Sequence, residues 1–440
     1  MLLNFAVKNY RSIRDRQVLS LVAAEGLPHE TSLSEDALGY RTLPVALLYG
    51  ANASGKSNVI QAFGAMRNMV RESVRLLPED ELDAYEPFLL HNESVDADTE
   101  LECEFIDHSE DHPCKYRYGF SFSRKQISQE WLYRSRINEE GVYTAEEEEL
   151  FSREGDTLSI NKEAFSEGEG KEEILNSNRL FLPLVSQFKS VIAPRVLGWI
   201  SQSNSLTGLR TERYMRITSR LWQDTTMSTR LLSFLRGIDV SIQDLDFREE
   251  EDEIDDDLPN HIKHIKELLA TIQSKHLRVF SKHHVYGSDG ERKDSVEFDV
   301  PKQESQGTRK IIELLGPIFE TLRTGKPLFV DELDAKLHPL LTRAIVQLFM
   351  NRELNTKGAQ LIFTTHDTNQ LDLSYIRRDQ IWFTEKSPQE ATELYSLFDF
   401  KDVKDSSDIQ QEYTQGRYGG VPLIHHLIDK SCREDDTANE

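Results

Sequence analysis

Residues 50–57 have the types and spacing of a loop that binds nucleotide phosphates. They read Gly-Ala-Asn-Ala-Ser-Gly-Lys-Ser, which fits the pattern of glycine, any four residues and Gly-Lys-Ser. Gly50 and Gly55 let the backbone curl so that its N–H groups point inward around a phosphate. Lys56 can reach the β- and γ-oxygens, and the Ser57 hydroxyl can ligate Mg²⁺ at a helix N-terminus that favours anions. The alternative is a glycine-rich turn with a surface lysine, but the strand pattern before the loop and the helical pattern after it favour phosphate binding.

Two apolar segments downstream end in residues that could act on a bound triphosphate. Asp331 and Glu332 follow the run at 327–330, and His366 follows the run at 360–363. The carboxyl ends of parallel strands share one edge of a sheet, so Asp331 is expected beside the phosphate loop. One carboxylate can then support Mg²⁺ through water while its neighbour polarises the attacking water. A lone histidine at a strand end is more often structural, but at this edge His366 is a candidate sensor of the γ-phosphate.

Ser305 stands at the start of a third relevant element, a helical pattern that begins near Gly307. By itself it is predicted to be the N-cap of that helix. Together with the other motifs, its hydroxyl and the first N–H groups of the helix form a candidate second anion site.

The flanking patterns predict the sheet that must position these residues. Four short strands with acidic turns between 101 and 160 indicate an antiparallel meander, and helical periods fill 174–274. After 307, strands and helices alternate, which is typical of parallel βαβ units. The predicted class is therefore α/β, with a mixed or parallel sheet around the phosphate loop, an antiparallel β lobe and an inserted helical subdomain.

Composition and charge narrow the classes of protein further. The 440-residue chain has 52 Lys and Arg against 76 Asp and Glu, a net charge of −24, which argues against a general nucleic-acid coat. Its three cysteines match no zinc or disulfide framework. No basic leader opens the chain and no stretch approaches the roughly 20 apolar residues of a membrane span, so we expect a soluble cytoplasmic protein. The acidic run at 249–257 is predicted to be a solvated loop, and the last twenty or so residues a frayed tail.

The order of these motifs resembles the ABC-type ATPase heads. The wide separation of the phosphate loop from the Ser305 helix is similar to their SMC, RecF and OLD branch, as is the opening Asn-Tyr-Arg-Ser at 9–12. The segments at 304–309, 331–339 and 417–422 resemble the stand-alone OLD/AbiL-like AAA ATP-binding proteins of bacterial phage-defence and abortive-infection operons. The resemblance implies ATP and Mg²⁺ as cofactors, ATP hydrolysis, and a homodimer, or a higher oligomer, closed through the ATP sites.

The resemblance also implies a domain organisation and roles for the motif residues. Residues 1–175 would be the N-terminal ATPase lobe, 176–276 a helical insertion, and 277–440 the C-terminal ATPase lobe with the signature and the switch histidine. Lys56 and Ser57 would hold the phosphates and Mg²⁺. Asp331 would support the metal, Glu332 would be the catalytic base, and His366 would be the switch.

Further roles follow by position. Ser305 and Gly307 would contact the γ-phosphate bound to the other subunit, and Asp334 would couple the two sites. Gln187 stands where the family has a glutamine loop that serves the metal. The remaining nucleotide-binding residues that the resemblance implies are Arg11, Gly50, Asn52, Gly55 and Asn58.

Departures from the family pattern limit the function. The signature reads Glu-Ser-Gln-Gly instead of Leu-Ser-Gly-Gly, and ordinary helices fill the place of a long coiled coil. About seventy residues follow His366, too few for the toprim domain of OLD nucleases, so no nuclease site is expected here.

Three functions remain in competition. The leading hypothesis is an ATP-driven switch whose closure controls a separate effector, a nuclease or toxin, in anti-phage defence. The second is an ATP-stabilised scaffold or antitoxin with little turnover, and the third is a RecF/SMC-like DNA repair ATPase. Nucleic-acid binding is left open by four arginines at helical spacing, which more often form a solvated face or ion pairs: Arg210, Arg213, Arg216 and Arg220.

Overall fold

The computed structural model describes residues 1–36, 38–108, 113–136, 146–207, 214–238, 240–250 and 276–421. The chain divides into two compact units along boundaries that differ from the predicted 1–175, 176–276 and 277–440. Unit 1 comprises Met1–Gly208, Thr324–Asp334 and Ile345–Glu440, and unit 2 comprises Leu209–Arg323 and Ala335–Ala344. The helix that follows Ser305 therefore lies in unit 2, and the phosphate loop, Asp331 and His366 lie in unit 1.

The described residues form eighteen strands and ten α-helices, beside short 3₁₀ turns. The strands are β1 Leu2–Lys8, β2 Gln17–Ser20, β3 Ser34–Glu35, β4 Arg41–Thr42, β5 Val45–Gly50, β6 Thr99–Asp107, β7 Cys114–Phe122, β8 Ile127–Arg136, β9 Glu148–Glu154, β10 Thr157–Ile160, β11 Asn204–Thr207, β12 Asp244–Glu250, β13 His276–Tyr286, β14 Arg292–Asp299, β15 Pro327–Asp331, β16 Gln360–Thr364, β17 Ile381–Lys386 and β18 Thr392–Ser396. The helices are α1 Lys56–Glu72, α2 Asn92–Val95, α3 Phe181–Val185, α4 Ile192–Gln202, α5 Met215–Trp222, α6 Thr225–Gly237, α7 Val300–Gln303, α8 Gln306–Thr324, α9 Pro339–Met350 and α10 Ile409–Thr414.

A seven-stranded antiparallel sheet in unit 1 confirms the predicted meander. Its order is β10-β9-β8-β7-β6-β1-β2. Alternate residues of β6, such as Leu101 and Cys103, are buried, because successive side chains of a strand point to opposite faces. The N-terminal strand and its return pair within this sheet as β1 and β2.

A six-stranded, mostly parallel sheet carries the chemistry-bearing strand ends. Its order is β11-β15-β16-β5-β17-β18, and β18 alone of these runs antiparallel to its neighbour. The register pairs Val330 with Phe363 and Thr364 with Leu48. The carboxyl ends of β15, β16 and β5 consequently meet at one edge, as the strand–helix alternation predicts.

Helix α1 lies between the two sheets and ties them into one core. Phe63 of α1 stacks on Phe329 of β15 with 4.0 Å between ring centroids. The same ring meets Phe5 of β1 edge-on at 5.4 Å. Stacked and edge-on aromatic pairs add to the free energy of burying their apolar surface. Because α1 begins at Lys56, this core holds the end of the phosphate loop.

The prediction of helical periods from 174 to 274, interrupted by an acidic loop, is wrong at two places. Helices α3 to α6 lie there, but the segment also contains β11 and β12. Strand β11 has four residues, too few for a recognisable period, and becomes a strand by pairing with β15. The predicted acidic loop is also corrected, since Glu249 and Glu250 belong to β12 and pair with Leu277 and His276. The rest of that run, like the predicted frayed tail beyond residue 421, lies outside the described residues.

A buried ion pair in unit 1 yields a stability prediction. The fully buried Arg377 donates from Nε and Nη2 to the two carboxylate oxygens of Asp379, at 2.9 and 2.7 Å. Its remaining N–H groups donate to backbone carbonyls of Ala24, Leu27 and Pro28. One guanidinium therefore anchors the loop at 24–28 to the 3₁₀ turn at 378–380.

Replacing Asp379 with asparagine is expected to lower the free energy of unfolding by about 3–5 kcal/mol, because it leaves a buried guanidinium without a counter-charge. Chemical denaturation measures the change. The control is Arg75→Ala, which breaks the exposed pair with Glu72 and is expected to cost under about 1 kcal/mol. Equal losses in the two variants would contradict the prediction.

Candidate active site

The phosphate loop joins the last residue of β5, Gly50, to the first residue of α1, Lys56. Two of its positions accept only glycine. Gly50 has φ of 157° and Gly55 has φ of 106°, and a Cβ on either would collide with the hydroxyl of Thr384 or Thr392. These two glycines let the loop close tightly enough for its backbone to surround an anion.

Lys56 is buried, and its side chain folds back over the loop. Its Nζ donates to the carbonyl oxygens of Gly50 at 2.8 Å and Ala51 at 3.0 Å. Burial lowers the pKa of the Lys56 amine, and the charges of Asp331 and Glu332 oppose that shift. The amine thus lies inside the loop, in an electrostatic field that the downstream carboxylates supply.

Ser57 and Asp331 meet although 274 residues separate them in the chain. The Ser57 hydroxyl donates to Asp331 Oδ1 at 2.9 Å. Thr364, at the end of β16, donates to the same oxygen at 2.7 Å. A hydroxyl and a carboxylate are oxygen ligands of the kind that Mg²⁺ takes together with phosphate oxygens. The chemistry of this pair therefore fits an Mg²⁺–triphosphate.

Glu332 occupies an unusual backbone conformation directly after the strand. Its φ is 54°, in the left-handed region that residues other than glycine enter at a cost. Its N–H donates to Thr364 Oγ1 at 2.7 Å, and the side chain is half-buried. The next strand thus holds the turn that presents Glu332.

His366 and Asp334 form the other side of this edge. The His366 N–H donates to Asp334 Oδ2 at 3.2 Å, whereas Asp334 Oδ1 is buried without a hydrogen-bond partner within the described part of the chain. Partial burial and the nearby Lys56 charge lower the pKa of His366, which favours the neutral imidazole. A neutral imidazole can either donate or accept a hydrogen bond toward a phosphate or a water.

A set of side chains that the sequence did not single out holds the phosphate loop from the C-terminal strands. Ser54 shares a hydrogen bond with Thr384 at 2.6 Å, and Thr392 donates to the Ser54 carbonyl at 2.8 Å. Ser12 contacts Thr392 at 2.8 Å and accepts from Asn58 at 2.5 Å. A hydroxyl residue in each of the two strands after His366 was the only available signal, and such residues are too common to predict a contact.

Three predicted nucleotide ligands lie at or beside the loop in different settings. Asn52 is exposed on the loop, and Asn58 on α1 contacts Ser12. Arg11 directs its guanidinium to Glu86, at 2.7 and 2.9 Å, and to Gln61 of α1. Its backbone nevertheless adjoins the site, because its neighbour Ser12 reaches both Asn58 and Thr392.

None of the described hydrogen bonds joins Gln187 to these residues. It follows α3, its side chain is exposed, and its amide contacts Ser186. The strand beside β15 in the sheet is β11, whose Thr207 pairs with Asp331. The main-chain neighbour of Asp331 on that side is therefore the segment at 204–207.

Ser305 and Gly307 lie in unit 2, at the start of α8. Ser305 Oγ accepts from the Thr308 N–H at 3.1 Å, which confirms the predicted N-cap. The Ser305 side chain is exposed, and a Cβ on Gly307 would lie 3.3 Å from the Lys336 carbonyl oxygen. The capping serine and the first residue of α8, Gln306, are therefore both exposed.

The arginine series is described in part. Arg210 and Arg213 lie outside the described residues. Arg220 of α5 pairs with Glu320 at 3.3 Å, and Arg216 is exposed on the same helix. The ion-pair interpretation thus applies to Arg220.

We expect no sub-micromolar binding of duplex DNA at physiological salt, because the net charge of −24 opposes it and Arg220 is paired. Fluorescence anisotropy with a labelled duplex over a salt series measures this. A sub-micromolar affinity in the unmodified protein that disappears in Arg216→Glu would overturn the expectation.

A family profile described as "AAA domain, putative AbiEii toxin, Type IV TA system" matches residues 45–372, about three quarters of the chain. The chain belongs to this AAA family. The family match supports the ATPase class and the relation to abortive-infection proteins. No curated protein matched the chain.

Solved structures similar to this AAA protein include the SMC head domain from Thermotoga maritima, at 12% identity and a TM-score of 0.39, over 90% of this chain and 98% of that one. Another is the SmcHead bound to the C-winged helix domain of ScpA, at 12% identity and a TM-score of 0.36, over 90% and 97%. Among the described residues, no helix is both long and apolar enough to cross a bilayer.

Proposed function

We propose that the protein is an ATP-driven switch that dimerises on ATP, hydrolyses it and thereby controls a partner effector in anti-phage defence. The observation that carries the ATPase part is the Ser57–Asp331 hydrogen bond. It joins the phosphate loop to the acidic strand end at the carboxyl edge of a parallel sheet, where nucleotide ligands bind. The family description supports the defence context.

The donor set fits ATP with Mg²⁺. Lys56 would exchange the Gly50 and Ala51 carbonyls for β- and γ-phosphate oxygens, and the N-terminus of α1 would add its N–H groups and dipole. Ser57 and Asp331 would hold Mg²⁺, directly or through water. The bound metal neutralises charge that develops on the phosphates.

Hydrolysis would depend on groups that surround the attacking water. Glu332, held by Thr364 in a left-handed turn, would accept the proton of that water. His366 would orient the water or the γ-phosphate with its neutral imidazole, in a position set by Asp334. These groups are pre-positioned because the adjacent strand ends fix their backbone.

Dimerisation would complete the site with the α8 N-terminus of a second copy. Two-fold symmetry would place each Ser305 over the γ-phosphate held by the other protomer, which forms two equivalent contacts. ADP lacks the γ-phosphate oxygens, so only ATP would stabilise the closed dimer.

Ser305→Asp tests the dimer. Aspartate caps a helix as well as serine does, but it places a negative charge where the partner's γ-phosphate would sit. We expect ATP turnover to fall at least about tenfold, the effect of roughly 1.4 kcal/mol of repulsion, while ATP binding to one protomer persists. Ser305→Asn is the matched control, because asparagine keeps the cap without the charge. Light scattering with ATP and ADP, beside an ATPase assay, measures both effects.

Normal hydrolysis by Ser305→Asp would refute the shared site. The ATPase assay is the decisive measurement, because a dimer formed through other surfaces would have the same mass in ATP and in ADP.

The control of an effector is tested by co-purification. We expect a partner, of the nuclease or toxin class, to be retained by Glu332→Gln in ATP and released in ADP. Equal retention of the partner in ATP and in ADP, together with negligible ATP turnover by the wild-type protein, would favour the second candidate function. That function is an ATP-stabilised scaffold or antitoxin. The toxin–antitoxin description of the family supports that candidate.

A further inference from the structure

The segment at 409–420 packs against the phosphate loop from the far C-terminal side. Gly420 adopts φ of 66°, and a Cβ placed on it would lie 3.4 Å from Gly50 Cα and 3.5 Å from the Thr384 carbonyl oxygen. Backbone therefore meets backbone at the first residue of the loop. The left-handed φ favours glycine at position 420, and a Cβ there would make ordinary van der Waals contacts with the loop.

Tyr413 of α10 fixes the end of this segment through its hydroxyl. The buried hydroxyl donates to the Gly420 carbonyl at 3.1 Å. Burial raises the pKa of Tyr413 to about 12. This hydroxyl thus holds Gly420, the residue that packs on Gly50.

The ring of Tyr413 reaches a second part of the site. It meets Tyr49 at 5.6 Å between centroids and stacks on Phe383 at 5.4 Å. The Tyr49 hydroxyl donates to the carbonyl of Asp367, the residue after His366, at 2.9 Å. Tyr413 consequently packs on β5, the strand that leads into the phosphate loop, and Tyr49 links it to the residue after His366.

We propose that Tyr413 is a positioning residue for nucleotide binding, acting on Gly50 through Gly420. The Gly50 carbonyl is the resting acceptor of the Lys56 amine. By holding Gly420 against Gly50, Tyr413 sets where that carbonyl and the following loop lie. The inference rests on the proposed function, since it assumes that the loop binds ATP.

Tyr413→Phe tests the proposal, because it removes the hydroxyl that holds Gly420 and keeps the stacked ring. We expect the Kd for both ATP and ADP to rise about 5- to 10-fold, the effect of losing one buried hydrogen bond. Tyr395→Phe is the matched control. Its hydroxyl donates to the Tyr418 carbonyl at 2.7 Å, in the same segment but two residues before the glycine that packs on Gly50. Titration calorimetry gives the Kd values, and thermal melting gives Tm for each variant.

The two measurements separate positioning from stability. A rise in Kd in Tyr413→Phe, with Tyr395→Phe near wild type, supports the proposal. An unchanged Kd in Tyr413→Phe, or an equal rise in both variants, overturns it, whatever happens to Tm. Absence of ATP binding by the wild-type protein would instead refute the proposed function.

Discussion

Replacing Glu332 with glutamine is expected to reduce ATP turnover by about 10²–10⁴-fold, the usual contribution of a positioned general base. Glutamine keeps the size of the side chain but cannot accept the proton of the attacking water. The phosphate-binding groups are untouched, because Lys56 rests on the loop carbonyls and Ser57 on Asp331. ATP should therefore still bind, and the closed dimer should accumulate.

The measurement combines a steady-state ATPase assay with light scattering in ATP and in ADP. Glu353→Gln is the matched control, since Glu353 is exposed in the turn after α9. It should hydrolyse ATP at the wild-type rate. If Glu332→Gln hydrolyses ATP at the wild-type rate, Glu332 is not the general base, and His366 becomes the candidate for that role.

Replacing Lys56 with alanine is expected to lower the ATP affinity by roughly 10²–10⁴-fold, because two charge-assisted contacts to the phosphates are lost at about 1.5–3 kcal/mol each. The fold should survive. The amine is buried at a desolvation cost, which lowers its pKa, and its only described partners are two loop carbonyls. Calorimetric titration with ATP measures the loss, and circular dichroism checks the fold.

Lys189→Ala, at an exposed lysine, is the control and should bind ATP normally. The lowered pKa of Lys56 adds a pH dependence. Only the charged amine attracts phosphate, so ATP affinity should fall as the pH rises through the Lys56 pKa, below the 10.5 of an ordinary lysine. Unchanged affinity in Lys56→Ala would contradict phosphate binding by this loop.

Local patterns were sufficient to predict the elements that carry the candidate site. The phosphate loop, the acidic strand end and the Ser305 cap each depend on residues within about one turn or strand, so their conformations follow from short-range sterics and hydrogen bonds. The parallel order of β5, β15 and β16 followed from the alternation of strands and helices, because such strands need crossover helices. The same features predicted that Asp331 would lie beside the phosphate loop, where it contacts Ser57.

Other features were decided by contacts between distant parts of the chain. Strand β11 exists because β15 offers it hydrogen bonds, and its four residues show no period that would predict a strand. Arg11 was expected to reach phosphates, but the loop at 81–86 brings Glu86 to its guanidinium. The local sequence does not predict these contacts, since each depends on which surfaces the core brings together.

The clearest division lies within the phosphate loop itself. Its own residues determined that it would be a tight, anion-binding turn between a strand and a helix. The tertiary structure alone decided what holds it, because Thr384, Thr392 and Gly420 lie more than 300 residues downstream. A hydroxyl becomes a hydrogen-bond partner only when packing removes it from water and places an acceptor within about 3 Å, and that requires the assembled sheet.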